Sequence, residues 1–245
     1  MIKDILQDIV AHTHALGFIN IIKVTGTSTE TVIESMADDK TCIISAKTHL
    51  PVPEFTGTFG MPNLDKINLH LKNPEYQKNA KIEVISGNSD GNSMLTALHF
   101  ENETGDFQND YRFMSQQLIN EKLKEVKFKG ANWEVTCNPT VAAINRLKLQ
   151  AAANNTETLF KIKTENNNLV FSFGDPSVEY DGSFVFHSDV TGKLKHMWAW
   201  PILHVQSILN LDGEITMKIS DSGAMQIIID SGLIEYSYIL PAMTK

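Results

Sequence analysis

Cysteine is nearly absent: Cys42 and Cys137 are the only two in 245 residues. Each lies in or beside a strand-like run, Cys42-Ile43-Ile44 and Val135-Thr136-Cys137, and they fall at different places in the two halves. That excludes a disulfide framework and a cysteine metal site, and leaves two buried free thiols in a reducing compartment as the expectation. Excess positive charge is missing as well. With 21 Lys and Arg against 29 Asp and Glu, the formal net charge is −8, which disfavours sticking to nucleic acid by the whole surface but allows a local basic face. Hydrophobic residues make up 42% of the chain, enough for sizeable cores, yet no apolar run approaches the length of a bilayer span. No membrane partner is expected. Met1-Ile2-Lys3-Asp4 interleaves charge with the first apolar positions, unlike a secretory signal, so the expected location is the cytoplasm.

Catalytic and cofactor motifs are also lacking. The chain has no G-x-x-x-x-G-K-[ST], G-x-G-x-x-G, H-E-x-x-H or C-x-x-C. His12 and His14 are two positions apart, which places them on different sides of a helix and spoils a shared metal ion. His204 has no carboxylate or cysteine at i±3 or i±4. Asp38-Asp39 and Asp221 stand in turn-like segments, where acidic residues are ordinary turn formers. No catalytic residue, metal or cofactor is therefore expected.

What the chain does have is a layout that occurs twice. An amphipathic stretch (Ile2, Ile5, Leu6, Ile9, Val10, Leu16) precedes the strand-like Ile21-Ile22-Lys23-Val24. In the second half, Val141, Ile144, Leu147 and Ala151 precede Leu159-Phe160-Lys161-Ile162. Lys23 and Lys161 are 161 − 23 = 138 positions apart. Helical segments opening at Pro62 and Pro201 are 201 − 62 = 139 apart. Two similar half-chains imply a duplicated domain, which suggests a symmetric scaffold before a catalyst.

The elements follow from periodicity and punctuation. Helix one is expected over Ile2–Leu16 with Gly17 as its stop, and helix two from Pro62 at N1 to before Pro74. Helix three is expected from Pro139, behind Asn138 as N-cap, to about Ala153, and helix four over Pro201–Leu211. Strands are expected at Ile19–Thr25, Thr31–Met36, Thr41–Lys47, Lys81–Ser86, Met94–Glu101 and Asp110–Met114. Others fall at Val126–Lys129, Trp133–Cys137, Thr158–Lys163, Leu169–Phe173, Ser183–Ser188, Glu214–Ile219, Ala224–Asp230 and Leu233–Leu240. Leu50–Pro53 reads as an extended connection, and Gly87–Gly91 as a turn. The class is α+β: two domains, 1–114 and 126–245, each with two short helices packed on antiparallel sheets. A polar linker with room for a short helical turn fills 115–125.

The stretch Trp198–Lys245 carries a resemblance. Trp200-Pro201-Ile202-Leu203 opens a short helix, and the runs Gly213–Ile219, Ser222–Ile228 and Tyr236–Met243 follow as a three-strand meander closing on an aromatic, apolar and proline segment. This resembles the last third of a DNA polymerase sliding clamp. Gly60–Leu71, Lys81–Ile85, Met94–Phe100 and Asp110–Met114 echo the plan in the first half. Clamps with two such domains per chain close as trimers, so the chain is similar to the trimeric type, and its Asn-rich turns point to clamps of T-even-type tailed phages.

The resemblance implies a ring that encircles duplex DNA without reading sequence and tethers a replicative polymerase as a processivity factor. Its partners would be DNA, the polymerase, a clamp loader and two further copies of the chain; it would not be an enzyme. In that family the helices line the hole. The polar helix positions here are Lys3 and Gln7; Lys66, His70 and Lys72; Arg146, Lys148 and Gln150, with Asn145 beside them; and His204, with Gln206. Arg146 is one of only two arginines, and with Lys148 it makes the densest basic patch on a helix; Asp4 and Asp8 dilute helix one. The family's partner peptides bind between the linker and the C-terminal segment, which here implies Phe113, Met114, Leu118 and Ile119 on one side. Tyr238, Ile239, Leu240, Pro241 and Met243 form the other. Tyr238 and Leu240 also suit ordinary strand core. Subunits would meet by edge pairing of strands near Ala80–Ser86 or Gln108–Tyr111 with those near Ser183. Two rival readings are a phage virion structural subunit of the tail or baseplate, which predicts filaments or larger rings, and a small-molecule enzyme with a dispersed site, which predicts convergent carboxylates in a cleft.

Overall fold

The computed structural model describes residues 2–89, 92–124, 128–175, 177 and 181–243. The chain divides into two compact units, 1–127 with 231–236, and 128–230 with 237–245.

In unit 1, helix α1 (Ile2–His12) is followed by strands β1 (Ile21–Gly26), β2 (Thr31–Met36), β3 (Ile43–Thr48) and β4 (Gly57–Pro62). Helix α2 (Leu64–Lys72) leads to β5 (Lys81–Ser89), β6 (Asn92–Glu101) and β7 (Gln108–Arg112), and helix α3 (Gln116–Lys122) comes after them. The strands run antiparallel in the orders β4-β1-β2-β3 and β5-β6-β7. Alternation in β1 buries Ile22 and Val24 while Lys23 and Thr25 point the other way. Helices α1 and α2 pack together through stripes at helical spacing: Ile5, Leu6, Ile9 and Val10 on α1, and Leu64, Ile67 and Leu71 on α2.

Unit 2 repeats the plan. After β8 (Val135–Cys137), helix α4 (Val141–Ala153) precedes β9 (Leu159–Glu165), β10 (Asn168–Gly174), β11 (Asp181–His187) and β12 (Trp198–Pro201). Helix α5 (Ile202–Leu209) leads to β13 (Glu214–Ser220), β14 (Ala224–Asp230) and β15 (Ile234–Pro241). The orders are β11-β10-β9-β12 and β15-β14-β13-β8. Thus α1, β1–β4, α2 and β5–β7 correspond to α4, β9–β12, α5 and β13–β15. Its core is aromatic: Phe171 stacks on Phe186 at 4.1 Å between ring centres and lies 4.8 Å from Phe160.

Several expected boundaries move. Helix one stops at His12, then a 3₁₀ turn over His14–Leu16 runs to Gly17, whose left-handed backbone (φ 84°) lets its N–H reach the His14 carbonyl. Pro62 and Pro201 do not start helices. Each closes an edge strand, opposite Ile21 and Leu159 respectively, where a missing N–H costs no ladder bond. Pro62 to Pro201 is 139 positions, but Leu64 to Ile202 is 202 − 64 = 138. Unit 1 therefore holds one additional residue, Asn63, taken up in the left-handed region at φ 51°. Helix α4 is capped by Thr140, whose hydroxyl accepts from the Ala143 amide at 3.1 Å. Asn138 instead donates to the Ile215 carbonyl and the Thr216 hydroxyl, both at 3.2 Å. Strands β4 and β12, where only the helix starts at Pro62 and Trp200-Pro201 were expected, are findings of the structure. Of the strand expected at Val126–Lys129, Val126 and Lys127 lie outside the described residues, as does the 125/126 boundary, and Phe128 and Lys129 are not in a strand. Asp90 and Gly91 of the expected turn also lie outside the described residues, while Gly87 and Asn88 belong to β5.

Candidate nucleic-acid and partner surfaces

Cations on the strands are largely spoken for. Lys23 pairs with Glu34 at 3.2 Å, Lys47 with Glu30 at 2.8 Å, Lys81 with Glu83 and Lys163 with Glu165 both at 2.9 Å, and Arg112 with Asp110 at 3.2 Å. Register brings some of these together, since Lys23 stands opposite Glu34 across β1 and β2. On the helices the pattern reverses. Lys66 and Lys72 on α2, and Arg146 and Lys148 on α4, are exposed and have no hydrogen-bond or ion-pair partner among the described residues. An exposed, unpaired cation keeps its full charge for a polyanion.

The other helix positions differ. Lys3 donates to the Tyr76 and Gln77 carbonyls at 2.8 and 3.3 Å, tying α1 to the 3₁₀ turn Pro74–Tyr76. Gln7 is exposed. His70 lies 5.0 Å from Phe100 in a stacked pair, and its partial burial lowers the imidazole pKa. It therefore presents a neutral ring. Gln150 accepts from the Asn154 side chain at 3.2 Å and approaches Gly182, where a Cβ would sit 2.7 Å from its Oε1. His204 is half-buried and lines a groove of about 560 Å³ with Lys148, Ala152, Pro201 and Leu203, all within unit 2.

The residues named for peptide binding separate by burial. In unit 1, Ile119 is fully buried and Leu118 is 51% exposed, with Phe113 and Met114 between these extremes. Phe113 packs on Phe59 at 4.4 Å between ring centres. Met114 forms a bridge to Gly60, donating at 2.8 Å and accepting at 2.9 Å. In unit 2, Tyr238, Ile239 and Leu240 are buried core, whereas Pro241 and Met243 are exposed. Met243 bridges to Ala199 on β12, its amide donating at 2.8 Å, just as Met114 bridges β4. The duplication thus extends to these two segments.

Sequence reasoning passed over Met197, Trp198 and Ala242. Met197 is exposed and Trp198 half-exposed. The Trp198 indole donates to the Asp221 carbonyl at 2.9 Å. A Cβ on Gly223 would meet Ala242 and the Trp198 ring at 3.3 Å, so this corner is closely packed. Asp221 anchors it: burial alone would raise its carboxyl, but the His196 and Lys195 amides and the His196 ring outweigh that and hold it below the usual carboxylate range. The signal available was the Trp198–Trp200 pair just before the expected helix start.

Among the described residues, no group of three or more His, Cys, Asp and Glu is placed to hold a metal ion. None of their helices is long and apolar enough to cross a membrane.

The arrangement of duplicated antiparallel units with paired helices is the fold of the DNA sliding clamps. The chain superposes on A. fulgidus PCNA, solved with the C-terminal region of FEN-1 bound, with a TM-score of 0.69 and 11% identity, covering 99% of this chain and 95% of that one. PCNA from Thermococcus kodakaraensis gives 0.68 at 11% identity, covering 98% and 97%. No protein-family model matches the sequence, and no curated protein sequence does.

Proposed function

We propose that the chain is a DNA sliding clamp, a non-enzymatic scaffold that encircles duplex DNA and tethers a replicative polymerase. The observation that carries this reading is the division of positive charge. The cations on α2 and α4 are exposed and unpaired while five strand cations are neutralised by carboxylates, and the helices are the surface such a ring turns to DNA. A net charge of −8 repels DNA from the other faces. Unpaired lysine and arginine give a screened, sequence-independent attraction that permits sliding. In this reading Lys66, Lys72, Arg146 and Lys148 do most of the work. Gln7 and His204 add polar contacts, while Lys3, His70 and Gln150 act through helix packing.

The ring is a homotrimer of the two-domain type, of T-even-phage character in its Asn-rich turns, acting in the cytoplasm. Among the described residues β7 pairs only with β6 and β11 only with β10, so both offer free edges for a neighbouring copy. The exposed Val185 on β11 supports burial there. A clamp loader would open this contact. Partner peptides would use the exposed Leu118 of unit 1, beside Phe113 and Met114, and, in unit 2, the exposed Pro241 and Met243. The FEN-1 segment held by A. fulgidus PCNA is a precedent for such a partner. The virion-subunit reading is disfavoured by the clamp fold.

Solution mass and salt dependence test the proposal together. Light scattering is expected to give three times 27.4 kDa. The double variant Arg146→Gln/Lys148→Gln should keep that mass. It removes two cations per chain, six per trimer, so the slope of log K against log salt on duplex DNA should fall by up to about 5. Polymerase processivity should fall with it. An unchanged slope in an intact trimer would overturn the helix-face assignment, and filaments would overturn the ring.

A further inference from the structure

A cavity in unit 1 lies apart from every residue assigned above. It holds about 180 Å³, room for one bulky side chain. Ile2 and Ile5 from the first turn of α1 form one wall, residues 49–52 after β3 another, and Gly232-Leu233 a third. Ile5 and Val52 are buried, but the rim is not: Leu50 is 76% exposed and Leu233 41%. Two leucines left in water beside an open apolar cavity form a cohesive patch rather than scattered surface residues.

The walls are held in place without an occupant. The His49 amide donates to the Leu233 carbonyl at 2.9 Å. Behind Leu233, the Ser231 hydroxyl donates to the Asp8 carboxylate at 3.0 Å and the Tyr236 hydroxyl at 2.8 Å. Tyr236 also stacks on His12 at 4.5 Å between ring centres. The turn is therefore fixed to α1, and the site is pre-organised. Two titratable side chains line it, His49 and Glu54. Glu54 is exposed, no Lys or Arg lines the cavity, and the Glu54 carboxylate has no partner among the described residues.

We infer that this cavity docks a peptide segment of a partner protein in which a bulky apolar side chain stands next to a lysine or arginine. The apolar side chain fills the cavity between Leu50 and Leu233, and the cation meets Glu54. The carboxylate selects among apolar segments by sign of charge, since an acidic neighbour would sit beside an uncompensated anion. The site is distinct from the Phe113–Ile119 and Pro241–Met243 segments, so its failure leaves the clamp reading untouched.

The test uses the full chain with methyl-labelled Leu and Val and three blocked pentapeptides: Ala-Lys-Phe-Lys-Ala, Ala-Glu-Phe-Glu-Ala and Ala-Lys-Ala-Lys-Ala. The first should shift the Leu50, Val52 and Leu233 methyls. The second should bind about 1.5- to fivefold more weakly, the range of a solvent-exposed charge pair. The third should produce no shift at those methyls. Leu50→Asp should abolish the response, and Glu54→Gln should erase the difference between the two Phe peptides; both sites are exposed, so the fold is spared. Equal binding of the two Phe peptides, or a response that survives Leu50→Asp, overturns the inference. So does a drop in wild-type mass caused by Leu50→Asp, which would make the occupant a second copy.

Discussion

Gly60 and Ile119 form a steric lock whose energetics can be worked out before it is broken. Gly60 lies in β4 opposite Lys23, and its amide and carbonyl both bond Met114. A Cβ there would sit 2.9 Å from Cγ1 and Cδ1 of the fully buried Ile119 on α3. Gly60→Ala thus overpacks a closed contact, at a cost of about 1–3 kcal/mol. Ile119→Ala removes three buried carbons and leaves a cavity, at about 2–5 kcal/mol. In the double variant the new methyl enters the space that Ile119 vacates, so most of the overpacking cost disappears. The pair should then be more stable than the sum of the singles predicts by about 1–2 kcal/mol, well beyond the ~0.5 kcal/mol scatter of independent sites. Urea unfolding of the four proteins, followed by far-UV circular dichroism, measures the cycle. Amide exchange at Met114 should quicken in Gly60→Ala and recover in the double variant. Additivity within ~0.5 kcal/mol would refute the reasoning, because α3 would then not rest on β4.

Three further outcomes follow from side-chain environments. His99 on β6 holds Asp110 at 2.8 Å and Glu101 at 3.3 Å, with Glu83 opposite it on β5 and Arg112 on Asp110. The Asp110 contact first, then that of Glu101, raises its pKa above the ordinary histidine value. The stabilisation is complete below the unfolded pKa and is lost as pH rises through the folded one. His99→Gln should flatten that part of the stability profile in urea titrations at stepped pH. Burial pushes the Cys42 thiol far up and the Cys137 thiol up to about 12, so neither should react with a thiol reagent at pH 8 until urea unfolds the chain. Tyr236→Phe removes the hydroxyl that donates to Asp8 at 2.8 Å and should cost about 1.5–3 kcal/mol, the range for a bond to a charged group, read as a shift of the urea midpoint at constant m-value.

Much of the fold was legible because the duplication writes the same local pattern twice. Ile22 and Val24 on β1, and Phe160 and Ile162 on β9, alternate in the way any half-buried strand must. The helices announce themselves by apolar spacing in the same manner. Strands β4 and β12 were not legible. Gly57, Gly60 and Pro62 are poor strand formers, and β4 exists because it pairs with β1 over six residues and accepts Met114 on its other edge. Pro201 in β12 reads locally as a helix opener for a similar reason. Tertiary pairing overrides propensity at both places.

The candidate site shows the same division between residue type and availability. That Lys3, Lys66 and Arg146 sit on helices is visible in the sequence. That Lys3 is occupied is not, because its acceptors are the backbone carbonyls of Tyr76 and Gln77, more than seventy positions away. Lys23 is likewise taken by Glu34 through sheet register rather than proximity in the chain. A sequence counts charges, whereas a polyanion senses only those left over after the fold has paired the rest. The net charge of −8 therefore argues less against a DNA-facing surface than it first suggests. What supports the proposed DNA-facing surface is that α2 and α4 retain cations that no carboxylate of their own unit neutralises among the described residues.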